Sequence, residues 1–169
     1  MPAAMQSTSA TPYASSDDFR RIFYQETDSL HRLSFLLTAD RGKAEQCFVS
    51  GLEDSANRST VFKEWAHSWA RRTIIQNAVR VINPRPTEEH TPSSFDSGGA
   101  TLPVERAETA AVLQLGPFER FVYVMSVLER YSDQDCSVLL ACTRRDVIAA
   151  RVRASQQIEM QSTFSLSTR

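Results

Sequence analysis

Apolar residues recur at helical spacing along most of the chain. Phe19, Ile22, Phe23, Leu30, Leu33 and Leu37 fall on one stripe, and Asp17 or Asp18 stands where a helix cap is needed. Thr38 to Gly42 interrupts that stripe. Asp40 then caps a second predicted helix, from about Arg41 to Leu52, whose apolar positions are Ala44, Cys47, Phe48 and Leu52. Asn57 to Thr60 supplies a turn. A long third helix is predicted over about 60–82, with Phe62, Trp65, Trp69, Thr73 and Gln76 along one side. The four-residue step from Trp65 to Trp69 reads first of all as a core stripe, most firmly for Trp65.

Periodicity stops at 83–103, where Pro84, Pro86, Pro92, Pro103, Gly98 and Gly99 stand among Ser and Thr. That composition predicts a flexible linker. Helical spacing returns at about 104–113. Pro117 suits a first helical position, and Phe118, Phe121, Val122, Met125 and Leu128 follow it at i, i+3, i+4 spacing. Ser132 caps a short helix to about Ala141, Cys142-Thr143 makes a tight connection, and a last helix runs from about Arg144 to Ile158. Its predicted buried stripe is Val147, Ala150, Ala154 and Ile158. Two helices joined by a turn of three or four residues, the second bearing arginines, form a helix-turn-helix pattern. No alternation of strand type is sustained. The predicted fold is all-α: a tail (1–16), a helical domain (17–82), the linker (83–103), a second helical domain with the helix-turn-helix (104–160), and a polar tail (161–169).

Composition narrows the function classes. The chain has 169 residues, 41% hydrophobic, with 19 basic against 20 acidic residues and a net charge of −1. Near neutrality argues against nucleic-acid binding by bulk charge, so local patches must carry any such role. Seventeen of the basic residues are Arg; Lys43 and Lys63 are the lysines. No run of about 18 apolar residues suggests a membrane span. The small, polar start, Met1 to Ser16, lacks a basic start and an apolar stretch and does not read as a signal peptide. Cys47, Cys136 and Cys142 are too scattered for a disulfide framework or a zinc site, and read as reduced thiols of a cytoplasmic protein. No catalytic fingerprint occurs, His31, His67 and His90 are isolated, and neither an enzymatic activity nor a cofactor is expected.

Two stretches resemble a known family. Phe118 to Ser132, then Leu139-Leu-Ala-Cys-Thr-Arg-Arg-Asp-Val147, then Arg153-Ala154, resemble the promoter-binding C-terminal domain (region 4) of bacterial sigma factors, and most of all those of the extracytoplasmic-function group. Leu33-Ser-Phe-Leu-Leu-Thr-Ala-Asp-Arg-Gly-Lys-Ala-Glu45, with Phe62-Lys-Glu-Trp65 and Ala70-Arg71, resembles the entry into region 2 of the same group. The likeness covers about 17–158. The chain departs from the pattern in places. Val49 stands at a usual Gln, Arg72 and Gln76 at a usual Asn and a later Asp, and Arg151 at a usual Leu.

The resemblance implies a factor that catalyses nothing itself and places core RNA polymerase on promoter DNA, with an anti-sigma factor as a further partner. Duplex reading falls to Thr143, Arg144, Arg145, Arg151 and Arg153 on the last helix, where donors and a helix N-terminus favour base edges and phosphates. Capture of unpaired bases falls to Lys63, Trp69, Arg71 and Arg72, where aromatics stand among cations. Polymerase docking falls to Gln46, Val49, Ser50 and Glu53. Two other readings stay open: a sigma-like decoy that binds an anti-sigma factor, and a stand-alone helix-turn-helix regulator.

Overall fold

The first apolar stripe is carried by two helices. The computed structural model describes residues 11–57, 60–86 and 104–166, the last without the side chains of 104–107 and 163–166. In it α1 (Ser16–Gln25) and α2 (Thr27–Thr38) are separated by a break at Glu26. The Thr27 hydroxyl donates to the carbonyls of Phe23 and Tyr24, competing with the helical ladder where the chain turns. α3 (Arg41–Ala56) begins at the predicted Asp40 cap, which accepts from the Lys43 N–H at 2.8 Å, and runs four residues longer than expected.

The predicted third helix starts late. Phe62 is extended, and its neighbours pair with 12–14: the Ala14 N–H donates to the Val61 carbonyl at 2.7 Å, and the Lys63 N–H to the Pro12 carbonyl at 2.9 Å. Tyr13 stacks on Phe62 with ring centroids 4.8 Å apart. The inner end of the expected N-terminal tail is therefore built into the fold. Ala14 is buried, and Ser15 caps α1 in a reciprocal capping box with Asp18. A single 3-10 turn (Lys63–Trp65) leads into α4 (Ala66–Ile82). Gly51 allows α3 and α4 to approach closely, since a Cβ there would stand 2.7 Å from the Ile74 side chain.

The helices α5 (Val104–Leu113), α6 (Pro117–Tyr123), α7 (Asp133–Leu140) and α8 (Arg144–Leu166) follow the predicted spacing. A π turn (Val124–Leu128) continues α6, which the i+4 pattern did not foresee. α8 runs into the expected polar tail, because no Pro or Gly follows Ile158 to stop it. Of the predicted linker, 83–86 carry no regular structure, and 87–103 lie outside the described residues, as do 1–10 and 167–169 of the tails. The fold is all-α. Among the described residues the isolated Tyr13–Phe62 bridge is the extent of β pairing.

α1 to α4 form one packed group and α5 to α8 a second, and the two share a continuous apolar core through α2 against α5 and α6. Phe19, Phe23, Leu30, Leu37 and Ile74 fill the first group; Phe118, Phe121, Val122, Met125 and Val147 fill the second. Arg120 crosses the seam. Buried at 6% exposure, its guanidinium donates to the Leu37 carbonyl and the Leu115 carbonyl, both at 3.1 Å, and burial pushes its pKa down to about 10. It thereby satisfies an open carbonyl at the end of α2.

Two helix-ending alanines are left-handed: Ala39 has φ 54° and Ala141 φ 51°. Each ends a helix in a conformation that a Cβ disfavours. Ala39→Gly and Ala141→Gly are each expected to raise stability by about 1 kcal/mol, the strain relieved exceeding the extra freedom of the unfolded chain. Urea midpoints measure this; unchanged midpoints would show that neighbouring contacts absorb the strain.

Candidate nucleic-acid interface

α7 and α8 meet through the Ala141–Thr143 turn, and Thr143 caps α8. Its hydroxyl accepts from the Asp146 N–H at 3.1 Å and donates to the Asp146 carboxylate at 2.6 Å. The hydroxyl's hydrogen bond, and after it that of the Thr143 N–H to the same carboxylate at 2.9 Å, hold the Asp146 carboxyl below its usual range. The Thr143 hydroxyl thus serves as the cap of α8, and the residue is exposed.

The four arginines of α8 divide into two pairs. Arg144 and Arg145 are exposed at the helix N-terminus and make no ion pair among the described residues. Arg151 is forked onto Asp133 of α7. Arg153 donates through Nε and a terminal nitrogen to Oε1 of Glu119 on α6, at 3.2 and 2.9 Å. Both of these pairs brace α8 against its neighbours. Among the described residues, the arginines of α8 without an ion pair are therefore Arg144 and Arg145. Cys136, on the buried side of α7, has its thiol pushed up to about 11 by burial, as does Cys47 of α3. Both are protonated at neutral pH.

The second candidate surface lies where α4 faces the other group of helices. A cleft of about 710 Å³ is lined by Trp65, Trp69, Arg71, Arg72 and Gln76 on one side and by Glu129, Arg130, Tyr131 and Asp135 on the other. Trp65 is 59% exposed, against the expectation of a core position. Phe62 packs edge-on against it at 5.5 Å, so Tyr13, Phe62 and Trp65 form an exposed row of three rings. Trp69 is half-buried against the core and reaches the cleft wall. Lys63 stands apart, in a smaller recess beside Asp18 and His67.

Arg71 is the best-bound cation of this surface. Its Nε donates to Glu129 Oε2 at 2.6 Å, and a terminal nitrogen donates to Ser29 Oγ at 2.9 Å. Glu26, itself against His67, lies at 3.8 Å. The hydrogen bonds to Glu129 raise the guanidinium's pKa further, ahead of the opposing effect of burial. Arg71 thus ties the two groups of helices together, and its charge is taken up within the protein. Arg72 lies one residue on, half-buried at the cleft wall, with no ion pair among the described residues.

The four predicted docking residues share one face of α3. Gln46 and Glu53 are exposed, Val49 is 48% exposed and Ser50 is half-buried. Phe48 turns inward, its ring edge-on to Phe23 at 5.3 Å. Sequence reasoning missed the aromatic row and the acids Glu119, Glu129 and Asp133. The motif Phe62-x-x-Trp65 was the one available signal for the row, and nothing local announced the acids.

No protein-family model and no curated protein matches the chain. Among solved structures, it is similar to the sigma factor RpoE in the co-crystal structure with the anti-sigma factor NepR from Bartonella quintana, with a TM-score of 0.50 and 15% identity. The chain has a sigma-factor-like fold. The likeness extends over 87% of this chain and 98% of that one, so the sigma-like arrangement takes in helices of both groups. No described helix is long and apolar enough to cross a membrane.

Proposed function

We propose that the protein is a DNA-binding sigma-type factor of the extracytoplasmic-function kind, directing core RNA polymerase to promoters in the cytoplasm. The observation that carries this reading is the exposed Arg144–Arg145 pair at the N-terminus of the second helix of a helix-turn-helix, within a sigma-like fold. Two exposed cations at that end, without an ion pair among the described residues, meet phosphates or a guanine edge in the major groove, where the helix dipole adds to their charge. The aromatic row Tyr13–Phe62–Trp65 with Arg72 supplies stacking faces beside positive charge for unpaired bases. The exposed face of Gln46, Val49, Ser50 and Glu53 supplies the polymerase contact.

Replacing Arg144 and Arg145 with Ala is expected to weaken duplex binding by about 1–3 kcal/mol where either reads a base edge. Where they touch phosphates alone, the loss is uniform across sequences and the salt slope flattens by about one unit per contact. Fluorescence anisotropy over a salt series separates the two outcomes. Unchanged affinity for every duplex would remove α8 as the reader. Run-off transcription with core polymerase tests the whole activity.

One observation favours a second reading, a decoy for an anti-sigma factor. Arg71, Arg151 and Arg153 are engaged by acids of the chain itself, which leaves less positive surface for DNA. Stable co-purification with core polymerase supports the first reading and removes the second.

A further inference from the structure

The exposed face of α8 is not polar beyond its first turn. At 100° per residue, Arg145, Ile148, Ala149, Val152 and Gln156 share one side of the helix, opposite the buried Val147, Ala150 and Ala154. Ile148 is 43% exposed and Val152 50% exposed. The arginines next to this stripe, Arg151 and Arg153, are drawn to its flanks by Asp133 and Glu119 and do not cover it. From Arg145 to Val152 the helix rises about 10 Å, the length of about three base steps.

We propose that this stripe sets sequence specificity by reading thymine methyl groups, with Ile148 and Val152 as the readers beside the arginine pair. The inference rests on the duplex-reading role given to α8 and names what that helix prefers. A side chain of carbon and hydrogen neither donates nor accepts a hydrogen bond. Against most base edges it dehydrates a donor or acceptor and offers nothing in return, which is costly. The thymine C5 methyl is the apolar feature of the major groove, and contact there buries carbon against carbon. Charge complementarity selects DNA as the occupant of this face: Arg144 and Arg145 head the stripe at a helix N-terminus, where phosphates are attracted. The preferred duplex therefore places thymines next to the base pair met by the arginines, within one major-groove turn.

The test uses the full chain. Duplexes enriched from a randomised pool are remade with deoxyuridine in place of thymine, which keeps base pairing and removes the methyl. Each contacted methyl lost is expected to weaken binding about three- to four-fold, the effect of one buried carbon group. Ile148→Ala with Val152→Ala should bind the thymine and deoxyuridine duplexes equally; both positions are exposed, and unchanged melting confirms the fold. Equal binding of the two duplexes by the wild-type protein, or a preference that survives the double substitution, overturns the inference and leaves the stripe to a protein partner. Failure to enrich any duplex overturns the duplex-reading role itself, and this inference with it.

Discussion

Val49→Asp is expected to abolish binding to core RNA polymerase while leaving the melting temperature and duplex binding unchanged. Val49 is the apolar centre of the exposed α3 face, flanked by Gln46, Ser50 and Glu53. Interfaces of this kind draw most of their energy from a few packed anchors, each worth about 2 kcal/mol or more. A carboxylate at the anchor position loses that packing and also loses its hydration on docking without gaining a partner, a further penalty of several kcal/mol by order of magnitude. The free protein is indifferent, since the side chain is in water and Asp lowers helix propensity by only about 0.5 kcal/mol. Docking through Val49 should also be less salt-sensitive than docking through charge pairs. Phe48 is the poorer probe: its ring packs on Phe23, and truncation would destabilise the fold itself. Co-purification and anisotropy with labelled polymerase decide the matter. Binding that survives Val49→Asp would move the docking surface off α3. Failure of the wild-type chain to bind core polymerase, its own organism's included, would replace the sigma reading with the decoy reading.

Glu129→Lys should open the seam between the two groups of helices. Arg71 is held there by a two-point carboxylate contact from Glu129, with Glu129 nearly enclosed at 12% side-chain exposure. Charge reversal removes both hydrogen bonds and sets a third cation beside Arg71 and Arg72. After allowance for the partial exposure of Arg71, the loss is about 1–3 kcal/mol. The remaining hold is the packing of α2 on α5 and α6, that of α4 on α7, and the Arg120 hydrogen bond to Leu37. Small-angle scattering should show a larger radius of gyration than the wild type. A labelled oligo-dT strand should bind more tightly, because opening frees Arg71 and uncovers the cleft face of Trp65 and Trp69. Scattering identical to the wild type would assign the closed arrangement to the apolar packing between the two groups.

Much of the fold was legible because it is local. Capping by Asp40 and Ser132, the Pro117 start of α6 and the α5 span all follow from residues within a few positions of one another. The misreadings share a cause. The spacing of Trp65 to Trp69 fits a helical core stripe, yet Phe62 is extended and 63–65 turn more tightly, so the helical spacing does not apply there. Residues 61–63 pair with 12–14, about fifty residues upstream, and no local pattern encodes that pairing. The site was half legible for the same reason. Arginine content marked α4 and α8, and the exposed pair at Arg144 and Arg145 stands where expected. The acids that claim Arg71, Arg151 and Arg153 lie 58, 18 and 34 residues away in the chain. An arginine's availability depends on those distant partners and not on its neighbours.

Arg120 joins points 83 residues apart when it meets the Leu37 carbonyl. The chain between α4 and α5 must close before that bond forms, and the entropy of closure grows only with the logarithm of length. Doubling such a connector costs about 0.6 kcal/mol, less than a single buried hydrogen bond contributes. The seam therefore constrains the two faces that meet, and a single change at Arg120, Arg71 or Glu129 acts on the closed arrangement directly.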